Sequence, residues 1–326
     1  MNVLQRIFLR IGVLPILMLL AICIFGSISG QFLSQRNLLN VARQASYLAM
    51  ASLGQFMVLL VAGIDLSVGT ITAASSVASA LAMIALVPVF PEAIWPAILG
   101  GVLFGVLIAI ALGAVNGIGV SLLNVQPFMM TLGMTSVGFG LALFATSGMP
   151  VMGLPGAFGQ ALGYGTFFGL PLPICVALTS AMIIALMLGN TGYGRHLYAI
   201  GGNARAARLS GISVRRLTFS AYVLGASLCG VAGVMLTARM SSGEANIGAT
   251  LPLETIAACV IGGVSLNGGT GRVYGVMMGA LFITLVQNGM NLARVDSYLQ
   301  MVVVGLILIL AIVADNIRSL MLNAQR

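Results

Sequence analysis

The chain has 326 residues, of which 60% are hydrophobic and only 6% charged, with a formal net charge of +8. Soluble domains carry about 25% charged residues, so this composition excludes an ordinary soluble protein and an intrinsically disordered one. Its long unbroken apolar runs also differ from the alternating segments of about 10 residues that build a membrane β-barrel. We therefore predict an all-α, polytopic membrane helix bundle that forms a single domain over residues 1–326.

Ten apolar stretches are candidate transmembrane helices, since a span needs about 20 residues. The first is interpreted as a retained helix, because no cleavage site of the A-x-A type follows it. The stretches 45–62 and 252–264 are weak as full spans and are expected to be broken or tilted helices. The predicted stretches are 11–29, 45–62, 67–87, 94–116, 127–146, 170–189, 217–238, 252–264, 273–290 and 298–314.

The arginines predict the orientation of the bundle. All fourteen basic residues are arginine, and ten spans place both termini on one side. With cytoplasmic termini, Arg36, Arg43, Arg239 and Arg294 lie outside. The other ten lie inside, as the positive-inside rule requires: Arg6, Arg10, Arg195, Arg205, Arg208, Arg215, Arg216, Arg272, Arg318 and Arg326. The positive charge thus reports orientation, and we predict no nucleic-acid partner.

Catalytic chemistry is not expected in this chain. There is no lysine for a phosphate-binding loop, His196 is the single histidine, and the four cysteines are scattered singly. We predict no catalytic residues, no metal site and no cofactor. Among the acids, Glu254 after Pro252 fits a helix start. Solvated external turns are expected for Glu92, Glu244 and Asp296.

Small residues and one irregular stretch suggest how the helices pack. Glycines within the apolar runs, such as Gly101, Gly105 and Gly230, are typical of closely packed membrane helices. Residues 148–173 are too rich in Gly and Pro for a span, and would form an external segment that docks a partner, caps a pathway or is a plain loop. Residues 63–70 and 263–270 share four of eight positions, which we interpret as chance.

Asp65 is the most informative acid, because a carboxylate within a membrane helix costs roughly 2.5–3.5 kcal/mol on insertion scales. It lies between two apolar runs, in the order Asp65, Leu66, Ser67. One reading is a structural cap at a broken helix, in which Asp65 accepts a backbone N–H two or three residues on and Gly63 and Gly69 allow the break. The other is a direct role in a gate or pathway. The two are compatible.

The loop of about residues 190–216 is the strongest candidate site. Asn203 is expected to cap a short helix over 204–210, and Gly211 to end it. Its arginines would lie on the membrane surface and bind anionic lipid, or would form a docking surface for a cytoplasmic subunit. Composition alone leaves both readings open.

Four segments carry a resemblance to a known family. GRHLYAIGGNARAARLSGI resembles the cytoplasmic coupling loop of the ribose/xylose/arabinose/galactoside permeases of ATP-binding-cassette sugar importers. AGIDLSVGT, VNGIGVSLLNVQPFMMTLGM and TIAACVIGGVSLNGGTGRVYGVMMGALF resemble three further stretches of that family. The matches run in the same order from about residue 37 to 290.

The resemblance implies a non-enzymatic permease subunit of a bacterial inner-membrane importer. It would form the translocation pathway and couple to a cytoplasmic ATPase that binds the ATP. It would also work with a periplasmic sugar-binding protein and with a second permease copy or homologue. The pathway would pass near Asp65, Leu66 and Ser67. The implied ATPase contacts are Gly201, Gly202, Asn203, Ala206, Ala207, Leu209, Ser210 and Gly211.

Two departures and one alternative accompany this reading. Ala62 stands where the family usually has a second Gly, and Pro252 where an acid is common. The alternative function is a proton-coupled secondary transporter of a small neutral solute, in which Asp65 would bind the proton.

Overall fold

The computed structural model describes residues 14–323, with side chains described for residues 14–313. Predictions that concern residues 1–13, or the side chains of Arg318 and Arg326, lie outside this range. The helices are α1 Leu14–Ile28, α2 Gln35–Leu60, α3 Val68–Leu86, α4 Ile94–Ser121, α5 Pro127–Thr146, α6 Leu172–Asn190, α7 Gly192–Gly202, α8 Ala204–Leu209, α9 Val214–Met240, α10 Leu251–Ile261, α11 Val273–Leu292 and α12 Ser297–Asn323. Short turns occupy Val87–Val89, Gly156–Phe158 and Gly159–Gly163, and a two-residue hairpin pairs β1 Thr166–Phe167 with β2 Leu170–Pro171.

In the part of the chain that the structure describes, each of the ten predicted apolar stretches overlaps a helix. Within the described residues, six helices are long and apolar enough to cross a membrane: α3, α4, α5, α6, α9 and α11. Shorter apolar helices are α1, α10 and the Ser297–Val313 part of α12. The prediction of an all-α, polytopic membrane protein is confirmed.

The weak stretch at 45–62 belongs to an unbroken helix of 26 residues, α2, which begins ten residues earlier than predicted. Ser34 caps it by accepting from the N–H of Asn37 at 3.3 Å. The Asn37 side chain in turn donates to Oδ1 of Asn288 on α11 at 2.8 Å. These polar first turns are stabilised by a neighbouring helix, which the sequence pattern does not reveal. Arg36 and Arg43 therefore lie on a helix.

The weak stretch at 252–264 is a short helix, as expected. α10 has 11 residues, about 16 Å at 1.5 Å per residue, which is half of a membrane crossing. Pro252 lies in its first turn and Glu254 near its start, confirming the predicted helix start. Non-helical residues 241–250 precede it. Glu244 lies in this segment and is half-buried, so the expectation of a solvated turn is wrong. Its N–H donates to Oγ of Ser76 at 3.2 Å.

Helix α9 is at the centre of the bundle, packed against α2, α3 and α4. Glycines allow these contacts: a methyl group on Gly54 would lie 2.5 Å from the carbonyl oxygen of Gly225. Similarly, a methyl on Gly105 would lie 2.7 Å from the Ser75 carbonyl oxygen, and one on Gly230 would lie 2.6 Å from Cβ of Ala109. The predicted role of small residues in close helix packing is confirmed at these positions.

Hydroxyl side chains reinforce the contact between α3 and α9. Oγ of Ser75 donates to the carbonyl of Gly230 at 2.9 Å, and Oγ1 of Thr237 lies 2.6 Å from Oγ of Ser76. Both serines and Thr237 are fully buried. Such side-chain hydrogen bonds connect neighbouring membrane helices.

Residues 148–173 fold against one end of the bundle. Phe158 is fully buried, and the Tyr164 hydroxyl donates to the carbonyl of Arg239 at 2.9 Å. The guanidinium of Arg43 lies 5.9 Å from the centre of the Tyr164 ring. Phe168, at the tip of the β1–β2 hairpin, is 92% exposed.

Candidate functional site

The chain turns between α2 and α3 over residues 61–67, and Asp65 is at the centre of this turn. Asp65 is 2% exposed. Its Oδ1 accepts from the N–H of Ser67 at 2.8 Å and from Oγ of Ser67 at 2.5 Å. The predicted bond to an N–H two residues on is confirmed. The predicted interruption is present as a turn between two helices that run in opposite directions along α9, and not as a break within one helix. The capping residue of α3 is Ser67 and not Asp65, because the side chain of Asp65 closes a tight turn immediately before the helix.

Side chains from three other helices bind this turn. Nδ2 of Asn116 on α4 donates to Oγ of Ser67 at 2.7 Å. Oγ1 of Thr131 on α5 accepts from the N–H of Leu66 at 3.1 Å and lies 3.2 Å from the Ile64 carbonyl oxygen. The Gln55 amide on α2, oriented to satisfy both of its atoms, pairs with the backbone of Asp65.

The Gln55 pairing has two hydrogen bonds. The amide nitrogen donates to the Asp65 carbonyl at 2.8 Å, and the amide oxygen accepts from its N–H at 3.3 Å. The N–H and C=O groups of irregular backbone at membrane depth must find hydrogen-bond partners in the surrounding protein. The side chains of Gln55 and Thr131 provide such partners for this turn. Our sequence reasoning missed Gln55, Asn116 and Thr131. The signal that could have found Gln55 and Asn116 is a polar amide inside an apolar run.

Hydroxyl and amide groups surround the Asp65 turn. Within the described residues, the buried Oδ1 of Asn116 and the buried hydroxyl of Tyr222 have no hydrogen-bond partner. A methyl group on Gly63 would lie 2.8 Å from the Tyr222 hydroxyl. The turn is thus polar, buried and closely packed.

The short helix predicted over 204–210 is present as α8. It lies within residues 190–216, which we name the coupling loop after the family segment that they resemble. Oδ1 of Asn203 accepts from the N–H of Ala206 at 2.9 Å, and Gly211 has a φ of +81°. The predicted cap and the predicted stop are therefore confirmed, with the helix ending at Leu209. Leu209 is 84% exposed, whereas Ala207 is 5% exposed.

The exposed residues of this loop lie on one face of α8, and the buried Ala207 lies on the other. Gly202, Asn203, Ala206, Leu209, Ser210 and Gly211 are exposed, and Gly201 is half-buried. Ala207 packs in the same apolar cluster as Leu197 and Leu60. Its side chain therefore faces the bundle, which places it behind the exposed face of α8.

A glycine-rich connection joins the coupling loop to the Asp65 turn. A methyl group on Gly201 would overlap the carbonyl oxygen of Leu60 and the N–H of Gly269. The N–H of Gly269 donates to that same Leu60 carbonyl at 3.1 Å. A methyl on Gly268 would lie 2.7 Å from the amide nitrogen of Ala62. The coupling loop, residues 263–271 and the end of α2 therefore meet backbone to backbone.

The two similar segments, 63–70 and 263–270, are thus near each other in space. Each follows a helix that ends at this end of the bundle, and each precedes another helix, α3 or α11. The Tyr198 hydroxyl on α7 donates to the carbonyl of Gly271 at 2.9 Å. Burial raises the pKa of the Tyr198 phenol above its usual value, against the opposing effect of the Arg272 charge. The phenol therefore stays a donor near neutral pH.

No cluster of three or more His, Cys, Asp or Glu side chains that could hold a metal occurs within the described residues. What the fold presents is a buried turn between two helices, α2 and α3, whose backbone is hydrogen-bonded by buried polar side chains. This turn is connected to an exposed helical loop at one end of the bundle.

Comparison with known proteins identifies the family. Residues 37–312 match the family described as "Branched-chain amino acid transport system / permease component". The ribose import permease protein RbsC of Bacillus subtilis is 37% identical over 308 residues, covering 94% of this chain and 92% of the relative. The D-allose transport system permease protein AlsC of Escherichia coli is 35% identical over 299 residues, covering 91% and 89%.

A third relative, the L-arabinose ABC transporter permease protein AraH of Azospirillum brasilense, is 34% identical over 287 residues, covering 88% of this chain and 82% of its own length. No solved structure is significantly similar to the chain. The fold and the site define a multi-pass membrane permease. The chain belongs to the family of transport-system permease components that its residues 37–312 match.

Proposed function

We propose that the chain is the permease subunit of an ATP-driven sugar importer, in which it forms the translocation pathway and couples to a cytoplasmic ATPase. The observation that carries the proposal is the similarity, over nearly the whole chain, to permeases named for ribose, allose and arabinose. A neutral sugar also suits the hydroxyl and amide groups that surround the Asp65 turn.

The proposed topology has ten spans in one permease domain, with both termini in the cytoplasm of a bacterium and the bundle in its inner membrane. The arginine distribution supports it. Arg43 and Arg239 lie near Tyr164 and Tyr47 at one end of the bundle. The arginines of the coupling loop follow Gly201, which contacts the Leu60 end of α2. The predicted external and internal arginines in these two regions thus belong to opposite ends of the molecule.

The proposed ATPase contact is the exposed face of the coupling loop, formed by Gly201, Gly202, Asn203, Ala206, Leu209, Ser210 and Gly211. Ala207 supports this face from behind. We assign ATP to the partner subunit and no cofactor to this chain. The remaining proposed partners are a periplasmic sugar-binding protein and a second permease copy or homologue, with membrane lipid around the bundle.

The mechanism we propose follows from the contacts of Gly201. Closure of the ATPase subunits displaces α7 and α8. Because Gly201 abuts both Leu60 and Gly269, this displacement moves the end of α2 and the turn that holds Asp65, Leu66 and Ser67. A change at this turn reorients the start of α3 and opens the pathway towards one side of the membrane.

The test is co-purification of a tagged chain from its native host in mild detergent. Leu209→Asp places a charge on the proposed contact, and we expect it to lose the ATPase and sugar uptake. Phe168→Asp is the matched control, because Phe168 is equally apolar and exposed (92%) but lies on the hairpin of residues 148–173. Retention of an active ATPase by Leu209→Asp, or a complex without any ATPase that still transports in liposomes, would overturn the proposal.

A further inference from the structure

An open cavity of about 260 Å³ lies between α3, α5 and the non-helical segment 241–250. Its lining includes Gly69 and Thr70 from α3, Thr135, Ser136 and Phe139 from α5, and Gly248. None of these residues belongs to the predicted pathway set or to the coupling loop.

The depth of the cavity follows from the course of the segment 241–250. A methyl group on Gly243 would lie 2.5 Å from Cβ of Ala80, whereas one on Gly248 would overlap the carbonyl oxygen of Gly69. The segment thus runs along α3 from Ala80 back to Gly69, a distance of about 16 Å at 1.5 Å per residue. It connects the end of α9 to α10, whose Pro252 also lines the cavity. The half-helix α10 therefore starts well inside the bundle.

Irregular backbone at this depth is a strong constraint. A membrane protein tolerates it only where the backbone is buried in protein or lines a water-accessible cavity. Here two interruptions of helical structure come together, the turn before α3 and the segment before α10, because the backbone of Gly248 contacts that of Gly69 in the first turn of α3. Paired interruptions of this kind mark binding sites in transport proteins.

The lining chemistry suits a neutral polyhydroxyl solute. Oγ1 of Thr70 donates to the Ser67 carbonyl at 3.0 Å, and Oγ1 of Thr135 donates to the Thr131 carbonyl at 2.9 Å. Each oxygen keeps lone pairs to accept a hydrogen bond from a solute hydroxyl. Ser136 is exposed to the cavity, and the Phe139 ring offers an apolar surface for C–H groups. The lining contains no charged residue.

We propose that this cavity is the site where the permease holds a single monosaccharide during passage. The proposal rests on the function proposed above and assigns the site to the α3–α5 face and not to Asp65 itself. Thr70 connects the two, because its hydroxyl is bonded to Ser67, whose Oγ is bonded to Asp65. Motion of the turn that holds Asp65 therefore moves Thr70, which lines the cavity.

The first experiment is thiol labelling of the complete importer in liposomes. Ser136→Cys is made in a Cys23→Ser, Cys175→Ser background, since Cys229 and Cys259 are buried. Val137→Cys is the control, because Val137 is 54% exposed but does not line the cavity. We expect a hydrophilic methanethiosulfonate reagent to modify Ser136→Cys and not Val137→Cys. Whichever of D-ribose, D-allose and L-arabinose is transported should slow that modification during ATP turnover.

The second experiment fills the site. Ser136→Phe is expected to lower sugar uptake by at least about tenfold, with the complex and its ATP hydrolysis retained, whereas Val137→Phe leaves uptake unchanged. Normal uptake by Ser136→Phe, or no protection by a transported sugar, overturns the assignment of the site. Failure of the proposed function is distinguishable, because it appears as the absence of an ATPase in the wild-type complex.

Discussion

Gly201 of the coupling loop and Leu60 at the end of α2 are in direct backbone contact, so close that a Cβ atom on Gly201 would overlap the Leu60 carbonyl oxygen. That oxygen already accepts from the N–H of Gly269 at 3.1 Å. Since both partners of Gly201 are backbone, neither can move aside as a side chain could. The coupling loop therefore packs against the end of α2, immediately before the turn that holds Asp65.

The first prediction is that Gly201→Ala uncouples the permease. The added methyl group must push α7 away from Leu60, so we expect ATP hydrolysis to continue while sugar uptake falls by at least about tenfold. Gly189→Ala on α6 is the control, because nothing lies within 4 Å of a Cβ at that position and it is not part of the proposed ATPase contact. Uptake and ATPase rates are measured on the same proteoliposomes. Equal uptake by the two variants would contradict the transmission route.

The second prediction concerns the polar clamp, by which we mean the side chains of Gln55, Asn116 and Thr131 that hydrogen-bond to the Asp65 turn. Thr131→Val removes the acceptor of the Leu66 N–H, leaving a donor in the membrane interior without a partner. We expect a loss of about 1–3 kcal/mol in stability, seen as a lower Tm in detergent. Thr146→Val on the same helix is the control, since its hydroxyl bonds only to the carbonyls of Ala142 and Leu143 on that helix. A similar Tm for both variants would show that the clamp is unimportant.

The third prediction is a stabilising substitution. Ala62 has a φ of +59°, a left-handed conformation that costs an L-residue roughly 1–2 kcal/mol and glycine little. Ala62→Gly should therefore raise the Tm. Ala111→Gly, at an exposed position within α4, should lower it, because glycine costs about 1 kcal/mol in a helix interior. If Ala62→Gly lowers the Tm as Ala111→Gly does, the turn is not strained.

The fourth prediction tests the cap of α8. Asn203→Ala loses the bond to the Ala206 N–H and should destabilise this six-residue helix by about 1 kcal/mol. Hydrogen exchange is the direct measurement, and we expect faster exchange confined to residues 204–211. Asn203→Ser restores a capping oxygen and should recover most of the protection. Unchanged exchange in the alanine variant would exclude a capping role.

The fifth prediction separates the importer from a proton-coupled transporter. An asparagine at position 65 can still accept both bonds from Ser67 through its amide oxygen, so Asp65→Asn should keep the fold and part of the uptake. Asp65→Ala cannot close the turn and should be less stable. Uptake into ATP-loaded vesicles should persist when an uncoupler abolishes the proton gradient. Complete loss of uptake on uncoupling, together with loss in Asp65→Asn, would favour the secondary transporter.

The sequence predicted the features that depend on neighbouring residues. Apolar runs located a helix at each of the ten predicted stretches, and Asn203 with Gly211 located the ends of α8, because propensity and capping act over a few positions. The interruption at Asp65 was also predicted from its local composition. The starts and ends of some helices were not, as the early start of α2 shows, since Asn37 is stabilised by Asn288, far away in sequence.

The contacts that complete the site could not be predicted. Gln55, Asn116 and Thr131 each come from a different helix, and nothing near them in the sequence indicates that they meet at Asp65. The course of residues 241–250 along α3 was missed for the same reason. Glu244 was predicted at the surface because nothing near it in the sequence indicates that its N–H bonds to Ser76 on α3. The inward orientation of Ala207 likewise depends on packing against α2 and not on local pattern.

The contact between Gly69 and Gly248 bears on how this permease could change its substrate. One edge of the cavity is made of main chain on both sides, so no side chain there can be shortened to enlarge it. Point substitutions along α5, at Ser136 or Phe139, can alter which hydroxyl groups are recognised. Acceptance of a bulkier solute would instead require a different length or course of residues 241–250, and diversification of solute size in such proteins should therefore be found as insertions and deletions in that segment.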